Sequence, residues 1–79
     1  MMADLKATLT DIAKAIVDSP DEVVVSQSED ENTITLVLSV AADDMGMVIG
    51  KHGKIAKAIR SLIKAAAGNT HKKVNVEIK

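Results

Sequence analysis

Phenylalanine, tyrosine, tryptophan and cysteine are all missing from these 79 residues, and proline occurs once. Without cysteine there is no disulfide framework and no thiolate metal site, which agrees with a reducing compartment. Without phenylalanine, tyrosine or tryptophan there is no large aromatic platform on which a flat ligand could stack. No apolar run approaches the ~18 residues a membrane span needs, and the N-terminal stretch, with Asp4 and Asp11 in an amphipathic pattern, has no signal-peptide core. A single cytoplasmic domain spanning residues 1–79 is expected, with a modest core. Repeats, linkers and low-complexity tracts are absent as well.

What the chain does have is charge, unevenly placed. The net charge is −1, yet residues 1–44 carry ten acids against Lys6 and Lys14, and residues 45–79 carry eight cations against Glu77 alone. A polyanion would meet only the second half. The ordinary explanation of such charge is a solvated surface. Here the basic half coincides with the most distinctive stretch of the chain, Val48-Ile49-Gly50-Lys51-His52-Gly53-Lys54. Two glycines three apart, between an apolar dipeptide and a basic, apolar-periodic run, read as one helix stopping and another starting after a sharp turn. Glycine tolerates positive φ there and lets a ligand's backbone approach. The first amides of the restarted helix are expected to lack partners, and with Lys51, His52 and Lys54 around them they suit a phosphate.

The periodicities give the element order. Leu5, Leu9, Ile12, Ala13 and Ile16 form one helical stripe, with Asp4 as N-cap and Ser19-Pro20 as the stop. Glu22 to Ser28 and Thr33 to Val40 read as strands, the second placing Ile34, Leu36, Leu38 and Val40 on one face. Between them Glu29 to Asn32 reads as a hairpin turn with Asn32 at positive φ. Met45 to Ile49 is a short helix capped by Asp43 or Asp44; Lys54 to Ala67 is a longer one, ended by Gly68-Asn69; Lys73 to Lys79 is a closing strand. The order α-β-β-α-α-β predicts a two-layer α+β domain with all helices on the apolar face of a small sheet.

On the long helix the apolar residues cover roughly 200°, about twice the ~100° stripe that one packed face needs. Ile55, Ile59, Leu62, Ile63 and Ala66 read as core. Ala56 flanks the basic side and is a candidate groove floor; Ala58, Ala65 and Leu62 lie toward the far flank, where they could meet a partner subunit or serve only as good helix formers. Lys57, Arg60 and Lys64 recur at i, i+3, i+7 as a basic stripe leading away from the glycines.

Other chemistries fit poorly. The glycine stretch lacks the spacing and Lys-Ser/Thr of a P-loop, and there is no G-x-G-x-x-G. His52 and His71 have no neighbours at metal-ligand spacing. Asp43 and Asp44 are better explained as caps than as an acid-base pair. No cofactor, no metal and no catalytic residue is expected.

Val-Ile-Gly-x-x-Gly set between two helices, a strand before and a strand after, resembles the KH domain, and the element order is that of the bacterial type II form. The match extends to Asp44-Met45-Gly46, the basic loop residues and Ala56-Lys57-Ala58-Ile59-Arg60. In that detail the chain is similar, over nearly its whole length, to the KhpA family of small single-domain bacterial RNA-binding proteins. The resemblance implies a three-stranded mixed sheet and binding of single-stranded RNA, with Gly50, Lys51, His52 and Gly53 clamping about four nucleotides. It also implies Val48 facing the groove and Ile49 the core, with Lys54, Ala56, Lys57 and Arg60 along the helix and Leu38 or Val40 as the opposite wall. Regulation after transcription or RNA chaperoning is the implied role, and a homodimer or a larger KH-containing partner of the KhpB (Jag/EloR) class the implied company. An interaction module working mainly by such docking is the rival reading. Two departures predict weak, poorly selective binding: Ala56 stands where many KH domains have a bulky aliphatic residue, and Met47 where close relatives often carry Lys or Arg.

Overall fold

The computed structural model describes residues 4–68 and 71–79. Helix α1 (Leu5–Ile16) leads into a 3-10 turn at Pro20–Glu22, then strands β1 (Val24–Glu29) and β2 (Thr33–Ser39); a second 3-10 turn at Ala42–Asp44 precedes α2 (Met45–Ile49), and a third at Lys51–Gly53 links it to α3 (Lys54–Ala67), before β3 (Lys73–Ile78). This is the expected α+β order, and the sheet is mixed, β1 antiparallel and β3 parallel to the central β2. Helix α1 starts as read, with the Asp4 carboxylate accepting from the Ala7 amide at 3.1 Å. It stops at Ile16, before Pro20.

Alternation decides which face of the sheet is core. Val25, Leu38 and Ile78 share one register row, and Ile34 and Val74 another, with Leu36 and Val76 between. Onto that face pack Leu9 and Ala13 of α1 and Ile59 and Ile63 of α3. Leu9, Leu36, Leu38, Ile59 and Ile63 are fully or almost fully buried, each removing about 1.5–3 kcal/mol worth of apolar surface from water. Since α1 lies against β1 and β2, and α3 against β3, the charge polarity of the chain becomes a polarity across the sheet.

Two local readings are corrected. No described residue except His52 and three glycines has positive φ, so Asn32 does not turn the hairpin. Asp30 does: its Oδ1 accepts from the amides of Asn32 at 2.8 Å and Thr33 at 2.7 Å, an Asx-type closure that needs no left-handed residue. Asp44 occupies the N-cap position of α2 in helical conformation and caps nothing with its side chain. Instead its carboxylate, only 2% exposed, accepts from the Ser19 amide at 3.0 Å and ties the α1–β1 connection to α2. At the end of α3, Gly68 takes φ +63, while Asn69 lies outside the described residues.

Candidate nucleic-acid interface

Helix α2 is five residues long and ends because Gly50, at φ +73 and ψ 175, turns the chain out of helical conformation while its amide still donates to Gly46 O at 2.8 Å. Lys51–Gly53 makes one 3-10 turn. His52 (φ 58, ψ 24) and Gly53 (φ 74, ψ 15) are consecutive left-handed residues, a conformation a histidine adopts only at a cost of about 1–2 kcal/mol. The two glycines are needed for different reasons. A Cβ on Gly50 would stand 2.3 Å from Cγ1 of Ile55, so this glycine answers both a torsion and a contact. A Cβ on Gly53 would meet nothing within 4 Å, so only the torsion demands it, and the loop is open on that side.

The bend is less rich in free donors than the sequence suggested. Gly53 N–H donates to Gly50 O at 3.2 Å, and Lys54 N–H is taken by Lys51 O within the 3-10 turn. Much of the attraction for an anion therefore rests on Lys51, His52 and Lys54, all exposed around an open turn.

The basic stripe turns out to border β3. Arg60 Nε donates to Val76 O at 3.3 Å, which sets the Lys57–Arg60–Lys64 flank of α3 over the edge strand. In the parallel ladder the amides of Lys73 and Lys79 donate to β2, so the main chain of Val74, Val76 and Ile78 points to the outer edge, where no further strand lies. The basic flank of α3 and the outer edge of β3 thus lie side by side, joined by the Arg60 contact to Val76. A cavity of about 260 Å³ lies between the end of α3 and the start of β3, lined by Lys64, Ala67, Gly68, Lys72, Lys73 and Val74.

Several expected site residues lie elsewhere. Val48 is fully buried and belongs to the core, whereas Ile49, expected there, is 39% exposed. Met45, Met47, Val48 and Ile49 are all apolar, so a five-residue helix offers no pattern from which its rotation can be read. Ala56 faces the core, because Ile59 and Ile63 set the buried side of α3 and Ala56 falls in line with them. Leu38 is wholly buried beneath the helices, and it is the edge strand β3, not the central strand, that faces the basic stripe. Ile55 and Leu62, read as core, are 39% and 55% exposed; Leu62 joins Ala58 and Ala65 on the flank of α3 away from the stripe. The edge of β3 was missed because strand order cannot be read from an alternating pattern alone.

Among the described residues no group of three or more histidine, aspartate or glutamate side chains comes together as a metal site, and no helix is long and apolar enough to cross a membrane.

The KhpA/KhpB KH-domain family model matches residues 6–78. The chain is 58% identical over 74 residues to the RNA-binding protein KhpA of Clostridium acetobutylicum, and 51% identical over 74 residues to that of Clostridium perfringens; each alignment covers 94% of this chain and 99% of the relative. It is 43% identical to RNA-binding protein KhpA of Listeria monocytogenes, over 94% of this chain and 97% of that one. No solved structure gives a significant match. With the glycine turn, the mixed three-stranded sheet and the full-length matches in agreement, the chain belongs to the KhpA/KhpB KH-domain family.

Proposed function

We propose that this protein is a non-catalytic, cytoplasmic binder of single-stranded RNA, acting as a post-transcriptional regulator or RNA chaperone. The sugar-phosphate backbone of about four nucleotides lies against Gly50–Gly53, with Lys51, His52 and Lys54 on its phosphates and Lys57 and Arg60 alongside. Bases lie toward β3, meeting aliphatic surface and outward-facing main chain in place of aromatic platforms. The observation that carries this reading is the open left-handed turn at His52-Gly53 ringed by exposed cations; the RNA-binding names of the relatives support it. Ultraviolet cross-linking to RNA should fall at least tenfold in Lys51→Asp/His52→Asp while the circular dichroism spectrum is unchanged. Undiminished cross-linking in the folded double variant refutes the clamp.

A second reading, docking through homodimerisation or onto a larger KH-containing protein, is favoured by one observation: Leu62 stands more than half exposed on an α3 flank whose neighbours Ala58 and Ala65 are small. If that flank joins two copies, Leu62→Asp halves the mass measured by analytical ultracentrifugation; a folded variant of unchanged mass removes the flank as a self-interface.

A further inference from the structure

The contact between Gly50 and Ile55 has no explanation in core packing. Ile55 is 39% exposed and lies off the buried line of α3 formed by Ala56, Ile59 and Ile63. Yet its Cγ1 and Cβ stand 2.3 Å and 2.9 Å from where a Gly50 Cβ would be, so the branched side chain lies directly over the Gly50 main chain. No side chain forms a capping hydrogen bond at either end of the Lys51–Gly53 turn, and His52 holds a left-handed conformation that histidine does not favour. Such a turn needs support from outside itself. A β-branched residue in a helix is nearly confined to one χ1 rotamer, and α3 is anchored one residue later by buried Ala56.

We infer that Ile55 is a positioning residue: it braces Gly50 from behind and thereby fixes the direction in which the turn presents Lys51, His52 and Gly53. This inference rests on the RNA-clamp reading and extends it to a residue that acts through the turn. A site whose support is loosened by about 1 Å loses function without losing the fold.

The test compares Ile55→Ala, Ile55→Val and wild type in three measurements. Affinity for a single-stranded oligouridine should fall about tenfold in Ile55→Ala, which is ~1.4 kcal/mol, and recover in Ile55→Val, which keeps the branch at Cβ. Exchange of the Gly53 and Lys54 amide hydrogens, whose acceptors are Gly50 O and Lys51 O, should quicken in Ile55→Ala without RNA present. The sedimentation mass should not change. Equal affinity in Ile55→Ala and wild type, equal loss in the alanine and valine variants, unaltered amide exchange, or a drop in mass each overturns the assignment, the last by making Ile55 an interface residue. The readings fail separately: if Lys51→Asp/His52→Asp leaves oligouridine binding intact, the clamp is wrong, and the amide exchange of Ile55→Ala still decides whether the brace exists.

Discussion

Single residues at the glycine turn carry unequal burdens, and stability measurements can separate them. Gly50→Ala must meet a torsional penalty and a clash with Ile55, and should cost about 2–4 kcal/mol in denaturant unfolding. Gly53→Ala meets only the torsional penalty, about 1 kcal/mol, because open space surrounds its Cα. His52→Gly should move the midpoint the other way, stabilising by roughly half to 1 kcal/mol, since glycine takes φ 58 without strain and gives part of that back as unfolded-state entropy. If Gly50→Ala and Gly53→Ala prove equal, the packing of Ile55 over Gly50 is not as described. Away from the turn, Asp44→Ala leaves the Ser19 amide without its carboxylate acceptor inside a part-buried junction, and should cost about 1–3 kcal/mol by the same measurement. Asp44→Asn keeps an acceptor at that position and should recover part of the loss.

Elements were far easier to foresee than their orientations. Long, strongly periodic segments such as α1, β2 and α3 were legible to within a residue or two, because one face of each must leave water and the spacing of Leu5, Leu9 and Ala13, or of Ile34, Leu36 and Leu38, says which. The glycine turn and its cations were legible too, since left-handed torsions and charge are written in residue types. What was not legible depended on neighbours remote in sequence. Helix α2 is apolar nearly all round, so whether Val48 or Ile49 entered the core was decided by packing against α3. The hairpin used Asp30 where Asn32 was expected because a side-chain acceptor closed the turn as well as a left-handed backbone would. That substitution of means is testable. Asp30→Ala should lower stability by about 1 kcal/mol and Asn32→Gly, which only the left-handed version would favour, should not raise it. A gain for Asn32→Gly would indicate that the turn is not held by Asp30.

For the whole molecule, the sheet order translates a sequence asymmetry into a spatial one: acids gather with α1, β1 and β2, and cations with α3 and β3. Neutralising three to five phosphates at ~0.7 per phosphate predicts a log-log salt slope of only about −2 to −4 for single-stranded RNA, and Lys51→Ala/His52→Ala should shallow it by roughly 1. A slope steeper than about −6 would mean that RNA extends well past the glycine turn, for instance over Lys64 and Lys72. The exposed Glu29–Lys72 ion pair, which links the end of β1 to the start of β3, should contribute little to unfolding stability by comparison. The rim of β3 has a separate consequence. Because Val74 and Ile78 turn peptide groups outward, while the Val76 carbonyl is already taken by Arg60, the lettering of that strand can drift among hydrophobic residues without rewriting what its outer margin offers. Proline alone could erase a stroke, which makes this margin a legible surface insulated from most point mutation.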